Sequence, residues 1–324
     1  MSIKNVQISC SGLNNILRLQ TSMSHSNPVA TATLECVSHN VNIGDKLMVY
    51  AGFGSTSKIF TGYVKEIIRN VPEDIYTIVL NDVLVRATDY FFAPSNPDVP
   101  FSRSNISGEN LVRDILAEAG LTSYESDPTY FTFGINSPVE VKLISAYDFI
   151  HSITSLLAFT IYADQDEVVH FKRRLPYITT SDTTSHYTIS TNSDYFYNIS
   201  YGINEKALRN RVVVWGANGI NAEASASSPY LPSGFYKSVV YSSSMLVQTT
   251  SMAQDIADYN LNVLNRLTYS QTITIDGRPD IFPRKIASVT NSFLGITDEL
   301  WYVYAVEHSI DLSSGFTSTI ELRK

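Results

Sequence analysis

Cysteine is scarce in this chain of 324 residues, which contains only Cys10 and Cys36. Both lie in apolar, strand-like stretches, so we expect reduced, buried thiols in a protein made in the cytosol, and a disulfide between them is the rarer alternative. We expect no signal peptide, since the first residues lead directly into a strand-like segment at 6–10. No apolar run is long enough to span a bilayer. The sequence therefore predicts neither export by a leader nor insertion into a membrane.

Charged residues are also few, at 17% of the chain, and they leave a formal net charge of -8. An acidic chain has no general affinity for nucleic acid or for anionic membranes. A low charged fraction is expected where surface is buried between subunits, although a monomer rich in Ser, Thr and Asn has it too.

Metal-ligand spacing is lacking among the six histidines, which are His25, His39, His151, His170, His186 and His308. His308 is the best candidate for a general base. The sequence offers it no positioned partner, so we interpret it as a hydrogen-bonded residue of a barrel. We predict no catalytic, cofactor-binding or metal residue, no cofactor, and a protein that is not an enzyme.

A glycine-containing segment at 52–58 superficially resembles a phosphate-binding loop. A Walker loop has glycine before its lysine and a helix after it, whereas Ser57 precedes Lys58 and a strand-like segment follows. The spacing of Ser55 and Lys58 also matches that of acyl enzymes, but no helix follows to position the pair. We interpret the segment as a hairpin turn.

A short acidic turn contains Asp164, Asp166 and Glu167. It is too short for an EF-hand and lacks that loop's later bidentate glutamate, so we interpret these carboxylates as solvated turn charges. A glycosidase would need two carboxylates flanking a sugar cleft, and nothing in the sequence favours such a pair.

What the chain has in abundance is strand-forming sequence, including 20 Tyr and 15 Phe. Two groups of three strand-like segments resemble each other, at 44–50, 60–68 and 76–80, and at 283–289, 301–306 and 316–322. Lys46 to Thr77 spans 31 positions, and Lys285 to Thr317 spans 32. This similarity predicts one three-stranded meander used twice, so that three copies of the chain would present six similar barrels.

The repeat also places Trp301 and Tyr304 where Phe60 and Tyr63 stand, which predicts core positions for both. Within the strand-like segment 210–216, we expect Val213 to be buried, so that a charge there would abolish folding.

Three segments have the apolar periodicity of helices. The first has Ser107 as its N-cap and Gly120 as its stop, the second begins after Ser145, and the third runs from Ser251, as its cap, to about Leu264. An acidic hairpin at 159–171 follows the second helix.

The fold class predicted is mainly β with α+β: two similar β-barrels, a small α+β domain and a helix-bearing insertion. The first boundary is set by three prolines within 94–100, which neither a helix nor a central strand accepts. The predicted units are a first barrel at 1–92, an α+β domain at 93–176, and a second barrel at 177–324 with an insertion at about 217–267. Residues 217–228 read as an exposed loop. The loops at 94–100 and 217–232, and the aromatic run 195–197, are candidates for partner contacts.

The order of these motifs resembles the baseplate hub (tail hub, late control protein D) family of contractile phage tails and related injection machines. The likeness covers nearly the whole chain, and it rests on Gly44-Asp45, 60–64, Asn81-Asp82, the two-helix middle domain, 210–216, 274–279, 301–310 and 315–319. One departure is Pro283-Arg284, which stands where the family usually has Pro-Gly.

The resemblance implies a homotrimer whose six barrels are tail-tube-like and form a pseudo-six-fold ring. One face would receive a hexameric tail tube and the other a separate trimeric spike, with DNA or an effector passing through the bore. Tape-measure and baseplate wedge proteins are further implied neighbours, and the implied location is the virion tail, assembled in the bacterial cytoplasm. We expect the acidic balance to place negative charge on the channel wall.

Two other functions remain open at this stage. A tail-associated cell-wall hydrolase would release soluble fragments from peptidoglycan, and a glycan-binding or receptor-binding tail-tip module would bind to a glycan array. Neither activity needs a duplicated meander.

Overall fold

The structure is a computed structural model that describes residues 6–95, 99–173, 178, 182–243 and 245–324. Its strands are β1 (Val6–Cys10), β2 (Leu13–Ser24), β3 (Thr31–His39), β4 (Lys46–Phe53), β5 (Ser57–Asn70), β6 (Ile75–Asn81), β7 (Phe101–Arg103), β8 (Ile106–Ser107), β9 (Tyr124–Ser126), β10 (Thr132–Phe133), β11 (Val139–Val141), β12 (Phe159–Ala163), β13 (Val169–Arg173), β14 (Tyr187–Ser190), β15 (Phe196–Asn204), β16 (Arg211–Trp215), β17 (Asn221–Ser225), β18 (Ser238–Ser242), β19 (Thr268–Asp276), β20 (Ile286–Asn291), β21 (Ile296–Asp311) and β22 (Gly315–Arg323). Its helices are α1 (Val85–Asp89), α2 (Gly108–Glu118), α3 (Ala146–Leu157) and α4 (Thr250–Leu264), with a 3-10 turn at Ala217–Gly219.

The first barrel consists of β1 to β6, hydrogen-bonded in the order β1-β4-β5-β6-β3-β2 with every pair antiparallel. Along β3, buried residues alternate with partly exposed ones, as expected of a strand with one face on a core. Leu34, Val49, Ile78 and Leu80 are fully buried in that core. Cys10 and Cys36 lie there as free thiols, and burial with the neighbouring Cys36 raises the pKa of Cys10 to about 12.

The second barrel repeats the first in strand order. It is hydrogen-bonded as β14-β20-β21-β22-β19-β15, which is the order of the first barrel if β14, β15, β19, β20, β21 and β22 take the places of β1 to β6. One strand differs in direction, because β14 is parallel to β20 whereas β1 is antiparallel to β4. The fold class expected from the sequence is therefore confirmed, including the meander used twice.

The β-bulges fix which residues of the two barrels correspond. In the first barrel the register of β5 and β6 shifts just after the pair Val64–Leu80, and in the second the register of β21 and β22 shifts just after Val303–Leu322. Lys46 then corresponds to Ile286, and Thr77 to Thr319, one and two residues later than the sequence comparison placed them.

Trp301 and Tyr304 are buried, so their predicted core positions are confirmed. The residues of the first barrel to which they were matched are wrong. By the same register, the position in the first barrel that is equivalent to Trp301 is Gly62 and not Phe60. Gly62 has no room for a Cβ atom, since one would lie 2.6 Å from the backbone oxygen of Asn81. The first barrel therefore places a glycine where the second has its largest side chain.

The middle of the chain forms an α+β layer around α2 and α3. Ser107 and Gly120 flank α2 as predicted, although the Ser107 hydroxyl accepts a hydrogen bond from the Asn110 side chain rather than from a backbone N–H. Ser145 caps α3 by accepting a hydrogen bond of 3.0 Å from the backbone N–H of Asp148. The acidic hairpin is formed by β12 and β13.

The insertion in the second barrel is a three-stranded sheet, ordered β17-β16-β18, with α4 packed on one face. Residues 217–228 are only partly the expected exposed loop, because β17 lies within them and buries Ala222 and Ala224. The cap of α4 is Thr249 and not Ser251, since the Thr249 hydroxyl accepts the backbone N–H of Met252. The sheet and α4 share one continuous core with α2 and α3.

The prediction that the Val213 side chain is buried is wrong. Val212 and Val214 point into the core, whereas Val213 lies on the open face of the sheet, partly exposed. A strand alternates its faces at every residue, so an error of one position reverses the side that a residue occupies.

The boundary at 92/93 stays a prediction. The boundary at 176/177, and the central part of the proline-rich segment 94–100, lie outside the described residues.

Candidate assembly interface

A strand pair joins the two barrels within the chain. The second half of β2 pairs antiparallel with the end of β21, from Arg18–Asp311 to Ser24–Ala305, and makes one twelve-stranded sheet of both barrels. The backbone N–H of His25 extends this ladder with a 2.8 Å hydrogen bond to the Tyr304 carbonyl. We name this strand pair the barrel junction.

One face of the barrel junction is polar. Arg18 lies 2.7 Å from Asp311 and 3.5 Å from Glu35, and Gln20 donates a hydrogen bond to Glu307. Hydrogen bonds from Ser313 and Arg18 lower the pKa of Asp311 to about 2. Exposed ion pairs contribute little net stability, so this face fixes register more than it adds free energy.

The opposite face of the barrel junction is buried. Thr21 and Met23 of β2 lie there, together with Val306 and His308 of β21. His308 is the hydrogen-bonded barrel residue that the sequence indicated, with its Nδ1 2.9 Å from the Ser318 hydroxyl. Burial lowers the pKa of His308 to about 4, so the ring is neutral near pH 7.

Arg284 occupies the turn that leads into β20, at the place where the first barrel has Gly44. Both residues have positive φ, +67° and +87°, and their backbone N–H groups donate equivalent hydrogen bonds to Val303 and Val64. The glycine that the resemblance leads one to expect would adopt this conformation without strain. The structure therefore keeps the expected turn with a residue for which the turn is costly.

The Arg284 side chain joins three parts of the molecule. Its guanidinium donates a 2.6 Å hydrogen bond to the Ser24 carbonyl of the first barrel and lies 4.3 Å from the ring centre of Tyr162 in the α+β layer. Burial lowers the pKa of Arg284, while nearby groups that include Asp82 oppose that shift. These residues line a cavity of about 410 Å³ between the barrels and the acidic hairpin. The sequence offered one signal for this contact, the Pro283-Arg284 departure.

The acidic turn is only partly the solvated turn that was predicted, because Asp166 is exposed whereas Asp164 and Glu167 are partly buried. Lys46 and Lys58 of the first barrel form ion pairs with Glu167 and Asp166, and the Tyr63 hydroxyl donates a 2.8 Å hydrogen bond to Glu167. Asp164 turns inward and accepts hydrogen bonds from two backbone N–H groups of its own turn and from His170. The turn docks the α+β layer onto the first barrel, which linear sequence could not show because the partners are about a hundred residues away.

Asp82 is the most strongly perturbed carboxyl group near this junction. Its two oxygens accept backbone N–H bonds of 2.9 Å from Ala30 and Leu84, yet burial raises its pKa from 3.8 to about 7. Between about pH 4 and pH 7, the folded chain therefore holds a proton on Asp82 that the unfolded chain has lost.

Replacing Asp82 by asparagine should flatten the pH dependence of stability. Because the folded-state pKa is raised, the wild type loses free energy of unfolding as pH rises from about 4 to about 7, by at most about 1.4 kcal/mol per pH unit. Above that range the Asp82 contribution is constant. Urea unfolding of both proteins between pH 4.5 and 8 measures it, and a stability difference that does not change with pH would contradict the assigned shift.

Solved structures resemble the whole chain. The tail protein of Neisseria meningitidis MC58 aligns with a TM-score of 0.70 at 10% identity, covering 99% of this chain and 97% of its own. The 43 kDa tail protein of prophage MuSo2 from Shewanella oneidensis aligns at 0.67 and 11% identity, covering 98% and 97%. The chain has the fold of phage tail proteins.

A secretion protein has the same fold. The E. coli c3393 protein, described as a component of the type VI secretion system with structural similarity to the T4 bacteriophage tail proteins gp27 and gp5, aligns at 0.59 and 11% identity, covering 98% of this chain and 76% of its own. No family model and no curated protein matches the sequence. The fold is thus shared at identities where sequence comparison does not detect it.

The other candidate residues are dispersed. Tyr195, just before β15, and Tyr197, within it, are about half exposed, and Trp215 is exposed on the open face of the insertion sheet. In the described part of the chain, no three His, Cys, Asp or Glu side chains are grouped so that they could hold a metal ion. No described helix is long and apolar enough to cross a membrane.

Proposed function

We propose that the chain is a structural hub protein of a contractile phage tail or a related injection machine. Three copies form a ring of six similar barrels, which adapts a hexameric tail tube to a trimeric central spike. The ring encloses part of the channel for DNA or an effector, and tape-measure and wedge proteins lie next to it. The protein is located in the virion tail after assembly in the host cytoplasm, and it does no chemistry.

One observation carries this proposal. Two barrels with the same strand order are joined side by side through the barrel junction, inside a chain with the fold of phage tail proteins. A ring interface must match the symmetry of its neighbour, and a duplicated barrel lets a three-fold object meet a six-fold one. We further propose that the acidic balance of the chain lies on the channel wall, a point that a basic lumen would contradict.

The mass of the purified protein in solution tests the proposal. Sedimentation or native mass spectrometry should detect a trimer whose population increases with protein concentration. Negative-stain images of this trimer should contain six lobes around a hole. A monomer at every concentration, with and without the spike protein, would refute the ring. Added tail tube protein from the same source should bind one face of the trimer.

A further inference from the structure

The duplication extends beyond the two meanders to the strands of the barrel junction. β2 and β15 each pair with the next strand of their own barrel, and each has a bulge at one place, Leu17 in β2 and Tyr197 in β15. With these bulges aligned, Thr21 corresponds to Tyr201 and Met23 to Ile203. The other partner of the junction, β21, corresponds to β5.

Each barrel therefore has both halves of the same contact, but only one pair is used within the chain. β2 of the first barrel pairs with β21 of the second. Among the described residues, β15 pairs only with β19, and the second half of β5 pairs only with β6. An unpaired strand edge is a template for another strand.

The exposed side chains on β15 are those that are buried in the barrel junction. Thr21 and Met23 are 0% and 8% exposed, whereas their counterparts Tyr201 and Ile203 are 43% and 53% exposed. On β5, the counterpart of the buried Val306 is Ile67, which is partly exposed, whereas the exposed Ile68 corresponds to Glu307 on the polar face. Apolar side chains on an unpaired edge are expected where a partner strand covers them.

From these observations we infer that β15 of one copy pairs antiparallel with the second half of β5 of the next copy, in the register of the barrel junction. This inference rests on the proposed function and specifies its subunit contact. In the barrel junction Ser22 lies opposite Glu307. Ser22 corresponds to Gly202 and Glu307 to Ile68, so Gly202 of one copy lies opposite Ile68 of the next. Ile203 then lies opposite Ile67, and Tyr201 opposite Arg69.

The pairing closes a ring without a new type of contact. Around it, the pairs β2–β21 within a chain alternate with the pairs β15–β5 between chains, so six barrels meet through six similar junctions. Tyr201 gains an arginine partner, which suits a tyrosine ring. Once the third copy closes the ring, the edges of β15 and of the second half of β5 are paired in every copy.

Cysteine cross-linking tests the register directly. His25 and Tyr304 form a hydrogen-bonded pair, so the Ser22–Glu307 pair three residues along is a non-hydrogen-bonded one, and so is Gly202–Ile68. In such pairs the Cα atoms are about 4.5 Å apart, within the range of a disulfide. The double variant Gly202→Cys, Ile68→Cys should form covalent dimers and trimers under mild oxidation.

The matched control is Asn198→Cys with Ile68→Cys. Asn198 is exposed on the same strand four residues away, so its Cα lies about 13 Å off register and should give no covalent product. Single variants should also remain uncross-linked, because Cys10 and Cys36 are buried.

The outcomes separate the two proposals. A trimer by mass without cross-linking at Gly202 and Ile68, or with equal cross-linking in the control, overturns the strand pairing and leaves the hub proposal standing. A monomer by mass without cross-linking overturns both. As an independent check, Ile203→Asp should weaken trimer formation by about tenfold or more without changing the circular dichroism spectrum of the monomer, and unaltered association would overturn the pairing.

Discussion

Val214→Asp is expected to abolish folding of the insertion sheet and to lower the free energy of unfolding by about 4 kcal/mol or more. Val214 is fully buried in the core that the insertion shares with α2 and α3. A carboxylate there loses its hydration without gaining a partner, and the apolar contacts of the valine are lost as well. Urea unfolding monitored by tryptophan fluorescence would measure the loss, since Trp215 is the next residue.

Val213→Asp is the matched control. Val213 is partly exposed on the open face and lies opposite Glu223, which already forms an ion pair with Arg211. We expect a cost below about 1 kcal/mol from like charge across the strand pair. Equal losses in the two variants would show that the faces of β16 are assigned incorrectly.

Arg284→Ala should destabilise the protein by about 2–4 kcal/mol. It removes the hydrogen bond to the Ser24 carbonyl and the contact with the Tyr162 ring, and it leaves the positive φ in place. Arg284→Gly removes the same contacts but relaxes the backbone, so it should be more stable than the alanine variant by about 1 kcal/mol. Urea unfolding of both variants and the wild type measures both differences.

The first barrel supplies the control for the backbone contribution alone. Gly44 has the same conformation, and a Cβ atom there would meet nothing within 4 Å. Gly44→Ala should therefore cost about 1–2 kcal/mol by conformation alone. If Arg284→Gly is more stable than the wild type by the amount that Gly44→Ala costs, the buried guanidinium does not stabilise the contact between the barrels and the α+β layer.

The meanders and two of the helix caps could be predicted because their signals are local. Alternation along a strand, and a serine or threonine before a helix, depend on residues within a few positions of each other. The errors came where local signals compete. Thr249 and Ser251 both suit a cap, and three successive valines at 212–214 carry no alternation from which a face could be read.

Which residues of the two barrels are equivalent could be determined only from the structure, because β-bulges shift the register of the strands. Trp301 resembles Phe60 because both are aromatic. The hydrogen-bond registers of the two barrels show, however, that Trp301 occupies the position equivalent to Gly62. The correspondence of β2 with β15 was not visible in sequence at all, since the second copy is interrupted by the insertion before its next strand, β19.

The mainly β fold class, the repeated meander and the order of motifs that resembles the hub family can all be read from the sequence, since each of these depends on local pattern. Three contacts became visible only in the folded chain: the acidic turn docks on the first barrel, Arg284 reaches Ser24, and β2 pairs with β21. These contacts join residues about a hundred or more positions apart, and their free energy depends on burial and register that exist only once the sheets have formed.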